Sequence, residues 1–331
     1  MPIRPKENMR LVYQHKEPEY LPLNADFQML RTVEPGFRSV IHEGKPATGI
    51  HETDWFGQGW VYEPAIGAYN PDVNNYIIKD ITKWREYTTF PDLDAINWRA
   101  KFEADGFIQD DNKLLLLNDG FGPWERAFLM IPMNDLLCAL IEEPEACGDF
   151  FSEVADFKIK LHNHYLDYYK PEVVRLHEDY GSGGGLFMSP GTWRELIKPH
   201  LQRIIDNITS KGILYEHHCC GYMVPLAEEI ADMGASSWNN VHVSNDPFTC
   251  KQKFGDRLAF IGGICNGQYL DSDSVSHTQV REHVRETAEK MLPGPGLVIE
   301  AMFRNHPERE PVFMEELLKC GERHYGQSRP E

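Results

Sequence analysis

The sequence predicts an α/β chain folded as a (β/α)8 TIM barrel. Three observations carry that prediction. Short apolar runs alternate with long amphipathic ones, the apolar runs end repeatedly on polar residues, and no linker, repeat or low-complexity stretch divides the 331 residues. The chain reads as a single domain over 1–331, with 1–100 forming an N-terminal extension and lid-like elements over the barrel mouth.

Strands are expected near 21–26 (LPLNAD), 113–118 (KLLLLN), 173–178 (VVRLHE), 213–219 (ILYEHHC), 236–241 (SSWNNV), 258–264 (LAFIGGI) and 296–301 (GLVIEA). That is one short of a barrel, and the eighth strand has no clear place. Long helices lie between them. Phe150, Val154, Phe157, Leu161, Tyr165 and Tyr168 recur at helical spacing over about 145–169. Ser189-Pro190 starts another helix, with a capping hydroxyl and a proline at the first helical position. A third runs from about Ser274 to Leu292. Residues 54–76 are dense in aromatics and turn formers and have no period of either kind. They are read as an excursion covering one mouth of the barrel, where Trp55, Phe56, Trp60 and Tyr62 are candidate substrate-binding residues or simply a packed plug.

Composition narrows the class. Lys and Arg total 33 against 51 Asp and Glu, a formal charge of -18, so no basic stripe exists to bind nucleic acid or an anionic membrane surface. The opening MPIRPKENMRLVYQ has no apolar targeting core, and no apolar run is long enough for a membrane span. Seven cysteines, two of them adjacent at Cys219-Cys220, read as reduced thiols of a cytoplasmic protein.

Chemistry in such a barrel sits at the carboxyl ends of the strands. The expected ends carry Asn24 and Asp26, Asn118-Asp119, His177-Glu178-Asp179, His218 and Cys220, Asn239-Asn240, and Glu300. Burying such groups is costly unless they meet a metal, a substrate or one another. Within Glu216-His217-His218-Cys219-Cys220-Gly221, alternation along a strand turns Glu216, His218 and Cys220 to one face and His217 and Cys219 to the other. An imidazole and a thiolate two residues apart suit zinc, although a buried His beside a buried Cys explains the same spacing. Gly181–Gly185 lacks phosphate-loop spacing and reads as a close-packed or mobile turn at the mouth.

Longer motifs add to this. KDITKWREYTTFPDLD at 79–94, LFMSPGTWRELIKPHLQRIID at 186–206, HHCCG at 217–221 and FGDRLAFIGGI at 254–264 resemble the uroporphyrinogen decarboxylase-like superfamily, in its corrinoid-dependent methyltransferase branch. The resemblance implies zinc on His218 and Cys220 and a corrinoid carried by a separate partner protein. It also implies methyl removal from a methoxylated aromatic compound, as in veratrol-type O-demethylase components. An Arg-containing R-Q-A-G-like segment, expected of true decarboxylases, is missing. Thiol-methylating members carry a further cysteine past the last strand, where this chain has GLVIEAMFRNHPEREP with Phe303 near that position.

An oxygen ligand is therefore expected, with Glu300 the choice and Glu178 second. Glu178 and Asp179 are the candidate proton donors or substrate-orienting groups, Glu178 equally able to pair with Arg175 or Arg194. The rival expectations are a methylated-corrinoid:thiol methyltransferase of the coenzyme M type, a decarboxylase-like enzyme without metal, and a metal-free barrel in which His218 and Cys220 are core. The surface is compatible with a homodimer.

Overall fold

The computed structural model describes residues 3–32, 51–63, 68–262, 269–300, 303 and 305–330. Seven parallel strands form the barrel sheet: β1 (Phe27–Arg31), β2 (Leu114–Asp119), β3 (Val173–His177), β4 (Leu214–His218), β5 (Ala235–Val241), β6 (Ala259–Gly262) and β7 (Leu297–Val298). They run in chain order around the sheet, each parallel to the next. A parallel bridge between Leu23 and Ile299 joins the β1 side to the β7 side. The α/β barrel expected from the alternating pattern is the fold observed, and no eighth strand is present among the described residues.

Six of the expected strands lie where the apolar runs placed them. The first does not. Asn24–Asp26 is a 3-10 turn, closed by a 2.9 Å bond from the Leu23 amide to the Asp26 carboxylate, and the strand begins only at Phe27. Asn24 and Asp26 therefore stand at the entry of β1 and not at the mouth, and Asp26 is paired with Arg329.

The strands explain themselves by burial. Every residue of Leu114–Asp119 is buried, as are Val173, Val174, Arg175 and Leu176. One face packs on the helices and the other fills the lumen. On the outer face, Leu117, Val174, Leu176, Tyr215, Trp238 and Phe260 belong to the core shared with the surrounding helices. The helix after Ser189 starts as expected, and the helix expected from about Ser274 spans His277–Met291, each capped by a serine (Ser189, Ser276) that accepts an amide bond at the helix N-terminus. In the lumen, Leu114, Leu116, Val173, Ala259, Ile261 and Val298 close on Met9, Val12 and Tyr13 of the helix Pro5–Tyr13. That helix plugs the amino-terminal end of the barrel.

The aromatic excursion is a three-stranded antiparallel sheet of His51–Thr53, Gly59–Glu63 and Ala68–Pro71. Asp54 anchors it. Its carboxylate takes the Phe56 and Gln58 amides at 2.9 Å, the Trp60 indole at 3.1 Å and the Arg126 guanidinium at 2.8 Å. No helix among the described residues is long and apolar enough to cross a membrane.

Candidate metal centre

The β4 end behaves as strand alternation demands. Glu216 points into the lumen, where it is fully buried and accepts from Tyr13, Arg175 and Ser237. His217 and Cys219 point outward: His217 stacks on Tyr180, and the Cys219 sulfur accepts the Tyr180 amide at 3.4 Å. Burial pushes the His217 imidazole down to about 3, so it stays neutral as part of the core. His218 and Cys220 face the mouth together, with Cys220 Sγ 3.3 Å from His218 Nε2.

A third group joins them. Asp179 lies two residues past β3, its Oδ1 2.6 Å from the Cys220 amide and 4.0 Å from His218 Nε2. One ligand atom each from Asp179, His218 and Cys220 lies within 4.8 Å of the others, the only such trio of metal-ligating side chains among the described residues. The surrounding bonds orient the set. His218 Nδ1 lies 2.5 Å from Asn239 Oδ1, which can only accept, so Nδ1 carries the proton and Nε2 offers its lone pair to the cluster. Asn240 donates to the Cys220 sulfur at 3.0 Å, a bond that favours the thiolate. Burial pushes the His218 imidazole down while Asp179 pulls it up, and the net shift is downward, toward the neutral form a metal requires. A nitrogen, a sulfur and a carboxylate oxygen with one orienting partner per ring fit zinc.

Backbone contacts hold the two strand ends in register. Gly221 has φ +74°, and a Cβ there would lie 2.2 Å from the Gly181 carbonyl oxygen. A Cβ on Gly181 would meet the Tyr222 carbonyl at 2.4 Å. The Gly181–Gly185 run is thus a close-packed hairpin pinned against the Cys220 turn, and this approach sets Asp179 beside Cys220.

Several expected site residues fall elsewhere. Glu178 turns away from the mouth and accepts the amides of Trp124 (3.2 Å) and Glu125 (3.0 Å) at the start of the helix Pro123–Met130. Burial pushes its carboxyl up to about 8. Its position makes it a helix cap and removes it from the reacting face. Glu300 lies outside the metal-ligating trio, in the lumen near Arg175, Glu216 and Asn239. The carboxylate of that trio is Asp179 instead. Phe56 and Trp60 are core: Phe56 packs edge-on against Phe90 and Phe157, and Trp60 stacks on Phe121 at 5.6 Å. Trp55 is half-buried against Phe157, and Tyr62 meets Tyr69.

His177 and Asn239 were not singled out by spacing, although both stand at polar strand ends. His177 stacks on His218 with ring centroids 3.8 Å apart and sits 3.0 Å from Asn118 Oδ1, fixing the plane of its neighbour.

The family described as "Uroporphyrinogen decarboxylase (URO-D)" matches residues 52–322. No curated protein matches the sequence. Among solved structures, a methyltransferase from Methanosarcina mazei is similar with a TM-score of 0.53 and 16% identity, over 69% of this chain and 64% of that one. This chain thus spans 64% of the length of that relative. At this identity the likeness is one of fold.

Proposed function

The chain belongs to the uroporphyrinogen decarboxylase (URO-D) family, and from that premise we propose that it is a zinc-dependent methyltransferase. In this reading it takes a methyl group from a methoxylated aromatic compound, the O-demethylation half of a reaction whose acceptor is the Co(I) of a separate corrinoid protein. The observation that carries the reading is the convergence of Asp179, His218 and Cys220 at the open end of a plugged barrel. The family alone also admits a decarboxylase without metal. That alternative leaves unexplained why a thiol, a carboxylate and an imidazole with its Nε2 turned toward them meet there. The methyltransferase named among the similar structures is consistent with methyl transfer.

His218 Nε2, Cys220 Sγ and an Asp179 oxygen would hold the metal. Bound there, zinc would supply Lewis-acid stabilisation for negative charge growing on the ether oxygen as the methyl group departs. That help matters because a phenolate is a poor leaving group near neutral pH, with a pKa of about 10 by analogy with tyrosine. The protein's own groups prepare the site. Asn239 fixes the His218 tautomer, Asn240 and the Cys220 amide hold sulfur and carboxylate in place, and His177 stops the ring from turning. The apolar lumen floor and the Pro5–Tyr13 plug keep bulk water from entering below. A single thiolate with an oxygen partner makes a harder site than two thiolates, which suits an ether oxygen better than activation of a thiol. Trp55 and Tyr62, both half-buried, are the candidates for arene contact.

The test is a donor panel with zinc-loaded protein and a Co(I) corrinoid carrier, followed by the visible spectrum. Veratrol, guaiacol and vanillate should methylate the cobalt, and methanol, methylamines and methyl thioethers should not. Reaction of the non-aromatic donors alone would refute the ether-cleaving reading. Rapid demethylation of a methylated carrier by a thiol would reverse its direction.

A further inference from the structure

Two of the seven tryptophans place their one polar atom on the loops that carry the metal ligands. Trp124 lies in the first turn of the helix Pro123–Met130. It is fully buried, and its indole Nε1 donates to the Asp179 carbonyl at 2.9 Å. Trp238 lies on β5, also fully buried, and its Nε1 donates to the Cys219 carbonyl at 3.2 Å. An indole N–H is a donor only, and a buried one needs an acceptor. Here one acceptor belongs to a candidate ligand and the other to the residue just before one.

Both carbonyls sit in peptide units that are held at their other edge as well. In the unit joining Asp179 to Tyr180, the Tyr180 amide donates to Cys219 Sγ at 3.4 Å. In the unit joining Cys219 to Cys220, the Cys220 amide donates to the Asp179 carboxylate at 2.6 Å. The amide edges thus tie the two loops to each other, and the indoles fix the carbonyl edges to the core. A peptide unit is a rigid plane, so bonds at both edges stop it turning about the Cα atoms that flank it. One of those Cα atoms carries the Asp179 carboxylate and another carries the Cys220 sulfur. The chain entering Asp179 is anchored on the same helix start as Trp124. The Gly122 amide donates to the His177 carbonyl at 2.9 Å, and the Glu178 carboxylate accepts the Trp124 and Glu125 amides.

We infer that Trp124 and Trp238 are positioning residues for the metal centre: their indole N–H groups hold the peptide planes that aim the Asp179 carboxylate and the Cys220 sulfur at one point. The inference rests on the metal-centre reading above. Without either bond the plane can turn, and the ligand atom beside it loses its fixed direction. The loss then falls on metal binding and not on folding alone. Phenylalanine at either position isolates the effect. It keeps an apolar ring in place, packed for residue 124 against Phe128, and removes only the N–H.

The experiment compares three variants of the full chain, Trp124→Phe, Trp238→Phe and Trp98→Phe. The last makes the same chemical change elsewhere, because the buried Trp98 indole donates to the Leu93 carbonyl at 2.8 Å and touches neither loop. In chelator competition, Trp124→Phe and Trp238→Phe should each weaken zinc roughly ten-fold, the lower end for groups that orient metal ligands. The visible spectrum of their cobalt(II)-loaded forms should change, since it reports ligand geometry. Trp98→Phe should lower the melting temperature by a similar amount and alter neither reading. Wild-type zinc affinity and an unchanged cobalt spectrum in both site variants overturn the inference, as does equal weakening by Trp98→Phe. Should the site variants fail to fold, indole N–H nuclear magnetic resonance of the wild-type chain decides. Zinc should move two of the seven signals most, and seven stationary signals overturn the inference. The two readings fail separately. A wild-type chain that binds neither zinc nor cobalt removes the metal centre and the clamp together, whereas metal binding that ignores both indoles removes the clamp alone.

Discussion

Two strand ends of this barrel carry an aspartate beside a histidine, and they have opposite characters. Asp119, at the end of β2, is fully buried and has both oxygens occupied. Thr32 donates at 2.9 Å, Lys158 at 3.1 Å, and His162 lies at 2.7 Å. Lys158 also donates to the Gly120 carbonyl at 2.5 Å. Asp179, beyond β3, is partly open and accepts the Cys220 amide, while its oxygen faces an imidazole nitrogen and a thiol. The first carboxylate is saturated by protein donors and fastens the helix Pro144–Tyr168 to the sheet. The second is turned, with an imidazole nitrogen and a sulfur, toward one point where three potential ligand atoms meet. The same residue types thus make a rivet in one place and a candidate metal site in the other, and partner saturation separates them.

Mutations should separate them too. His218→Ala should lower zinc affinity by about a thousand-fold or more, because each ligand is a large share of a structural-strength site. Competition with a chromophoric chelator measures this, and methyl transfer should vanish while the melting temperature of the metal-free protein barely moves. Asp119→Ala should do the opposite. It strands a buried lysine, at a cost of about 3–5 kcal/mol in urea unfolding, with zinc stoichiometry preserved in whatever protein remains folded. Asn239→Leu frees the His218 ring without touching a ligand atom and should weaken zinc by roughly ten- to a hundred-fold. Tyr62→Ala sits at the smallest end, expected within about 1 kcal/mol for both stability and substrate binding, since Tyr62 is half-buried and packs edge-on against Tyr69. Loss of zinc in Asp119→Ala, or of folding in His218→Ala, would erase the distinction.

The barrel was legible because a parallel strand buried on both faces reads as a run such as LLLL or VVRL, and six strands follow such runs closely. The first strand was misplaced because LPLNAD looks like an apolar run with a polar end. Asp26 instead closes a local turn and pairs with Arg329, some 300 residues away. At the site, strand alternation was sufficient to bring His218 and Cys220 together. It was not sufficient to choose between Glu178, Asp179 and Glu300. That choice depends on how the chain turns after β3, which the Gly181–Gly221 backbone contact decides between segments 40 residues apart. Glu178 and Asp179 are chain neighbours, and one caps a helix while the other joins His218 and Cys220 in the candidate metal site. The aromatics of the excursion show the same limit: Phe56 and Trp60 carry no mark in the sequence that separates a substrate wall from a packed interior, and they are interior.

The account stands most directly on the metal and its ligand set, which zinc-edge X-ray absorption of the purified protein reads. One equivalent of zinc is predicted, with a single sulfur at about 2.3 Å and the other ligands nitrogen or oxygen at about 2.0–2.2 Å. The sulfur shell should be lost in Cys220→Ala, and Asp179→Ala should weaken binding. Protein that binds less than about half an equivalent of zinc, or that shows two sulfurs, would contradict the assignment of Asp179, His218 and Cys220 as the metal centre.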